Sequence, residues 1–161
     1  MVALGVILAL LAAPAQAPTP AGVWQDTNQR TRVEIAPCGD RLCGTIVWFQ
    51  WPNNAQGLPL VDRKNPDPAL RGRPLLGLQI LYGLRSADGR TWKDGRIYNP
   101  DDGVNYRATM TLDDDGALRV RAYVLHPLLG KTRVFVRAPA SPPDAPPKLD
   151  QDQSSGAPPG A

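Results

Sequence analysis

Three groups of side chains in this sequence are spaced closely enough to share a site. In Tyr98-Asn99-Pro100-Asp101-Asp102-Gly103 a phenol is followed by two carboxylates within one turn. Glycosidases need two carboxylates on opposite sides of the scissile bond, whereas adjacent turn aspartates diverge. Calcium needs more oxygen ligands than this turn supplies. The segment therefore reads as a turn held by Asx hydrogen bonds. His126 is the only imidazole in the chain. Paired with Asp101 or Asp102 it has the chemistry of a general base. No Ser or Cys stands in a recognisable nucleophile setting, and His126-Pro127 falls at a loop, so the set points away from catalysis and no catalytic residue is assigned.

The second group lies in Asn65 to Gly77, NPDPALRGRPLLG, a mixture that suits neither a strand nor a flexible linker. Asp67-Pro68 reads as an N-cap followed by proline at the first helical position, and Gly72 suits the end of a single turn. Such a turn presents Arg71 and Arg73. Beside a pocket mouth, two arginines can hold a carboxylate or phosphate through bidentate hydrogen bonds. Paired with Asp67 or Asp101, the same arginines would instead pin an ordered loop, which needs internal polar partners. The tetrapeptide PLLG occurs at Pro74 to Gly77 and again at Pro127 to Gly130. Its leucines are suited to plugging one end of a domain, or to lining an entrance. Trp48, Trp51 and Trp92 would serve a ligand cavity or the core equally well.

The third group is Cys38 and Cys43 in PCGDRLCG. A tight turn at Gly39-Asp40 can bring the two together, and an oxidising compartment would keep them bridged. A ring this small stabilises by about 2 kcal/mol. Two cysteines and one histidine are too few for a zinc site, and C-x4-C lacks the spacing of a redox pair. No metal or cofactor is assigned.

The elements that must position these groups are short strands. Runs at 22–27, 31–36, 42–49, 78–85, 91–98, 105–112, 118–124 and 131–137 are separated by Asp-Gly and similar turn signals. Val33 and Ile35 alternate with Arg32 and Glu34. Tyr106, Ala108, Met110 and Leu112 share one face, as do Leu118, Val120, Ala122 and Val124. In the last run Val134 and Val136 lie on one face, and Arg133, Phe135 and Arg137 on the other. Asp94-Gly95 interrupts the fifth run and marks either a bulge or a break. Eight strands without an amphipathic helix predict an all-β, eight-stranded antiparallel up-and-down barrel with one long ordered loop. A sandwich is the alternative.

Both ends stand apart from this domain at 18–137. Residues 1–17 are apolar and end in small residues, as in a secretory signal peptide cleaved after Ala15, and are too short to span a membrane. Residues 138–161 are rich in Pro, Ala, Ser and Gly, with Leu149 as the one large apolar side chain, and read as a disordered tail. The chain is thus expected in the periplasm or outside the cell. Residues 18–137 carry 17 Lys+Arg against 12 Asp+Glu, a net charge of +5. The cations are scattered singly along the strands, which argues against a nucleic-acid partner.

Gly22-x-Trp24 on the first strand, with an arginine near the end of the last, is similar to the calycin pattern of lipocalins and their relatives. In that pattern the arginine packs over the tryptophan and closes the barrel. Arg137 is the first candidate and Arg133 the second. A guanidinium on an indole face is worth about 0.5–2 kcal/mol. GVWQ, EIAPCGDRLCGTIVW, NPDPALRGRPLLG, GRIYNPDDGVNY and HPLLGKTRVFVR together resemble the secreted bacterial domain-of-unknown-function family 2147. The resemblance implies an exported single-domain protein with a calycin-like barrel, and brings no catalytic residue, cofactor or ligand with it. His126 before PLLG, where an aromatic is common, and the Pro-rich tail depart from that family's pattern.

The expectation is a barrel that holds a small, partly apolar ligand, with Arg71, Arg73, Tyr98, Asp101 and His126 as the candidate contacts. The alternative is a solid barrel whose surface recognises an envelope protein, as an interaction or stress module. A hydrolase built on His126 comes third. Oligomeric state has no signature in the sequence.

Overall fold

The structure, a computed structural model, describes residues 19–139. The expected signal peptide and nearly all of the expected tail lie outside the described residues. The strands are β1 (Gly22–Asp26), β2 (Thr31–Cys38), β3 (Arg41–Phe49), β4 (Gln79–Ser86), β5 (Thr91–Asn99), β6 (Val104–Leu112), β7 (Leu118–Tyr123) and β8 (Lys131–Arg137). Each pairs antiparallel with its neighbour, and β8 returns to β1 to close the barrel. The predicted up-and-down barrel is the observed fold. Single 3-10 turns at Pro68–Leu70 and Pro127–Leu129 are the helical elements among the described residues.

Because the strands alternate in direction, every second connection lies at the same end. The β1–β2 turn, the long loop at 50–78, the β5–β6 turn and the β7–β8 loop share one end, here called the mouth. The Cys38–Cys43 hairpin, the β4–β5 and β6–β7 turns and the entry of β1 share the other, the base. Cys38 and Cys43 are bonded within the β2–β3 hairpin, with Cα atoms 5.8 Å apart. Asp94 takes a positive φ of 62°, and the β5–β6 register shifts between Trp92 and Gly95. The interruption is therefore a bulge within one continuous strand.

The core fills the base. Trp24, Leu84, Met110 and Leu118 are fully buried there, with Trp92 and Leu112 beside them. Trp24 pairs with Arg137 across the β1–β8 seam, and the guanidinium lies 4.1 Å from the indole centroid. The indole Nε1 donates to the Pro20 carbonyl at 2.7 Å. Arg137 Nη1 donates to the Ala21 carbonyl at 2.6 Å and Nη2 to that of Thr19, which straps the incoming chain across the base. Gly22 is required beneath this cover, since a Cβ would stand 2.6 Å from Arg137 Nη1 on a backbone at φ +120°.

Two face assignments differ from a simple apolar-inside reading. On β8, Phe135, Arg133 and Lys131 stand opposite Leu118, Val120 and Ala122 of β7, so the mixed face turns inward and Val134 and Val136 turn outward. Arg32 points away from the interior yet is buried, because it donates to Gln25 Oε1 at 3.1 Å and stacks on Trp48 at 5.0 Å.

Arg137→Ala should lower unfolding free energy by about 1–3 kcal/mol, the sum of a stacked guanidinium and its charge-assisted hydrogen bonds. Arg137→Lys should recover only part of this, because an ammonium cannot cover the indole while reaching both carbonyls. Urea denaturation followed by circular dichroism measures both.

Candidate functional site

The long loop between β3 and β4 is organised by a carboxylate that the sequence pattern does not mark. Asp62 is completely buried. Its Oδ1 accepts from the Tyr98 hydroxyl at 2.7 Å. Its Oδ2 accepts from Asn65 Nδ2 at 2.8 Å, Arg73 Nε at 3.0 Å and Arg73 Nη2 at 2.8 Å. A buried carboxylate needs such a set of donors, and here they come from the loop itself and from β5. Burial pushes the Asp62 carboxyl up. The hydrogen bonds from Asn65, Tyr98 and Arg73, with the Arg73 charge, outweigh burial and hold it below its usual value of 3.8. The Tyr98 hydroxyl moves up, through burial first and then through its bond to Asp62 and the charge there.

Around this centre the loop is ordered. Asp67 caps the 3-10 turn by accepting from Ala69 N at 2.9 Å, with Pro68 at the first position. Arg71 Nε donates to the Asn65 carbonyl at 2.8 Å. Asp62 N donates to the Arg73 carbonyl and Leu75 N to that of Leu60, a short ribbon that carries Leu75 to the mouth. The loop also docks on the β5–β6 turn, where Lys64 Nζ donates to the Asp101 carbonyl at 2.6 Å. Contact there is so close that a Cβ on Gly103 would stand 1.9 Å from the Lys64 carbonyl oxygen.

Above the core the barrel is hollow. A cavity of about 410 Å³ opens at the mouth. Val33, Ile46, Ile80, Ile97, Val120 and Phe135 form its apolar wall. Leu75 from the long loop and Leu129 from the β7–β8 loop stand at its rim, one from each PLLG segment. The leucine pairs therefore flank an entrance rather than plug it. Leu76, Leu128 and Leu129 remain exposed. A smaller void of about 20 Å³ lies against Ile35, Leu81 and Leu118, and shares Val33, Val120 and Phe135 with the larger one.

The candidate residues fall into three places. Tyr98 and Asp101 line the cavity, and so does Asp102. Asp102 is held below its usual value: burial raises it, but hydrogen bonds from Val104 N, Tyr106 and Asn99, with the Lys64 charge, prevail. Arg71 and Arg73 lie outside the lining and bind the loop together, with Asn65 and Asp62 as partners in place of the expected Asp67 or Asp101. His126 also lies outside the lining. Its Nδ1 accepts from Leu128 N at 3.2 Å and caps the second 3-10 turn. Trp92 belongs to the core, Trp48 covers Arg32 on the outer face, and Trp51 is exposed beneath Arg30.

The lining also holds two cations that no motif marks, Lys131 and Arg133. Neither makes a side-chain hydrogen bond or ion pair among the described residues. Their alternation with Phe135 was visible, but only the β7–β8 register shows that this face is the inner one. No group of three or more metal-ligating side chains exists among the described residues.

Residues 22–137 match the family of uncharacterized proteins conserved in bacteria, DUF2147. The chain belongs to this family. Nothing among the curated proteins matches it. A solved structure described as protein HP1028 from the human pathogen Helicobacter pylori, belonging to the lipocalin family, is similar, with a TM-score of 0.63 and 24% identity. The match covers 74% of this chain and 83% of that one. It shows that the DUF2147 domain here has the barrel fold of that protein.

Tyr98→Phe removes the one donor to Asp62 Oδ1 among the described residues and should cost about 1–3 kcal/mol. Because the folded carboxyl titrates below its unfolded value, the stability contributed by Asp62 is complete above about pH 5 and is lost as pH falls through the folded value. The stability gap between the parent protein and Asp62→Asn should therefore narrow below pH 3.8. Chemical denaturation across a pH series reads that gap.

Proposed function

We propose that this DUF2147 protein is an exported carrier that holds a small, partly apolar ligand inside its barrel. The observation that carries the reading is the hollow upper half, about 410 Å³ with an apolar wall and a polar mouth. Ligand pockets have this size and this division between apolar walls and a few placed polar groups. The apolar end of the ligand packs against Val33, Ile80, Ile97 and Phe135, and its polar end meets Lys131 and Arg133. Asp26, Asp101 and Asp102 also line the cavity, but Asp26 and Asp102 are engaged by donors within the protein, whereas Lys131 and Arg133 have no partner among the described residues, so an anionic group on the ligand would be held at these two cations. Export is supported by the apolar N-terminal segment and by the Cys38–Cys43 bond, which fits an oxidising compartment.

The test uses anilinonaphthalene sulfonate, an apolar anion whose fluorescence rises on leaving water. The parent protein should bind it saturably at one site. Ala122→Trp places an indole in the cavity and should abolish binding while the melting temperature stays within a few degrees. The double change Lys131→Gln/Arg133→Gln should weaken binding about tenfold or more, the worth of a charge-assisted hydrogen bond. Unaltered binding by Ala122→Trp would sink the proposal.

A further inference from the structure

The β7–β8 loop exposes what a soluble protein ordinarily hides. Val124 is 65% exposed, Leu125 83%, Leu128 80% and Leu129 82%, four large apolar side chains within six residues. Contiguous exposed apolar surface of this kind marks a binding surface. The loop is also braced in that posture. Arg121 donates from Nη2 to the Leu128 carbonyl at 3.0 Å, from Nη1 to Thr132 Oγ1 at 2.8 Å, and from Nε to the Pro127 carbonyl. His126 caps the 3-10 turn that carries Leu128 and Leu129. The leucines are presented by a fixed scaffold.

Charge identifies what they meet. Residues 118–137 contain Arg119, Arg121, Lys131, Arg133 and Arg137 and no Asp or Glu, whereas the remainder of residues 18–137 balances at 12 cations against 12 anions. The whole +5 of the domain thus resides in this one hairpin. Cations dispersed along the sequence are gathered by the pairing of β7 with β8. Arg119 is paired with Asp113, and Arg137 lies at the base over Trp24. Arg121, on the outer face, and Lys131 and Arg133, exposed where they line the cavity's opening, occupy the half nearest the leucines. An apolar tip on a basic stem is the arrangement that seats in an anionic lipid interface, with the side chains in the acyl boundary and the cations among the headgroups. The tip is also continuous with the cavity, since Val124 and Leu129 belong to its lining.

We propose that the β7–β8 loop docks the barrel mouth-first on an anionic phospholipid surface, from which the cavity's ligand enters or to which it leaves. Docking itself goes beyond the carrier reading and does not require it; only the route of the ligand rests on it.

Sedimentation of the full chain with vesicles of phosphatidylglycerol and phosphatidylethanolamine, against vesicles of phosphatidylcholine alone, tests this. The parent chain and every variant share the same N-terminal segment, so differences between them report the loop. Leu125→Ser/Leu128→Ser should weaken binding to the anionic vesicles about tenfold or more without changing the melting temperature, since both side chains are solvated in the free protein. Parent binding should fall with added salt and be weaker on phosphatidylcholine. Leu128→Trp should be quenched by brominated lipid beyond the signal of the four native tryptophans. Ala122→Trp should bind vesicles as the parent does, which separates failure of docking from failure of the carrier reading. The proposal is overturned if the double serine variant binds as the parent does, or if the indole at 128 escapes quenching. It is equally overturned if the parent forms a concentration-dependent dimer, or captures an envelope protein, that the serine variant loses while vesicle binding stays the same.

Discussion

Closure of β8 onto β1 is the constraint from which the rest of the molecule follows. The seam sets Trp24 opposite Arg137 and Asp26 opposite Phe135, so the side of β8 that faces inward is decided by register and not by hydrophobicity. From Arg137 upward, every second residue then points into the barrel: Phe135 at the top of the packed core, Arg133 and Lys131 above it. The same seam that makes the base solid places two cations in the hollow half. An eight-stranded barrel has an interior just wide enough for side chains to fill or for one small ligand, and here the base is filled while the mouth is left open.

The mouth depends on a different device. A connection of the length between β3 and β4 could not stay ordered over an open barrel without internal polar partners. Asp62 supplies a buried charge that only a particular arrangement of Asn65, Arg73 and Tyr98 can satisfy. Because Tyr98 belongs to β5, the cluster fixes the loop to the barrel wall as well as to itself. Truncating any one donor leaves the buried Asp62 carboxylate short of a partner, which is why the arrangement resists alternatives. The two arginines that looked like ligand contacts are thus the reason a mouth of defined shape exists.

Much of the architecture was legible in the residues. The alternation at Val33 and Ile35, at Ala108 to Leu112 and at Leu118 to Ala122 placed strands and inner faces correctly, because apolar periodicity and burial coincide there. Asp67-Pro68 was readable as a cap because its chemistry is local. The site was far less legible. Asp62 sits between Val61 and Arg63 with no local signal, and its partners are three, eleven and thirty-six residues away. Lys131 and Arg133 looked like solvated strand residues, since only pairing with Val120 and Ala122 reveals which way they face. Arg32 misled in the opposite sense, for a cation on an outer face can still be buried by an aromatic laid across it.

A hollow upper half walled by apolar side chains is suited to holding a ligand. Native mass spectrometry of the protein recovered from its own cells, before and after denaturation, would detect such a ligand. A discrete extra mass, one per chain, is expected that is lost on unfolding and never present in Ala122→Trp. A bare chain that also takes up nothing from a lipid extract of the same cells would mean that the cavity holds no ligand.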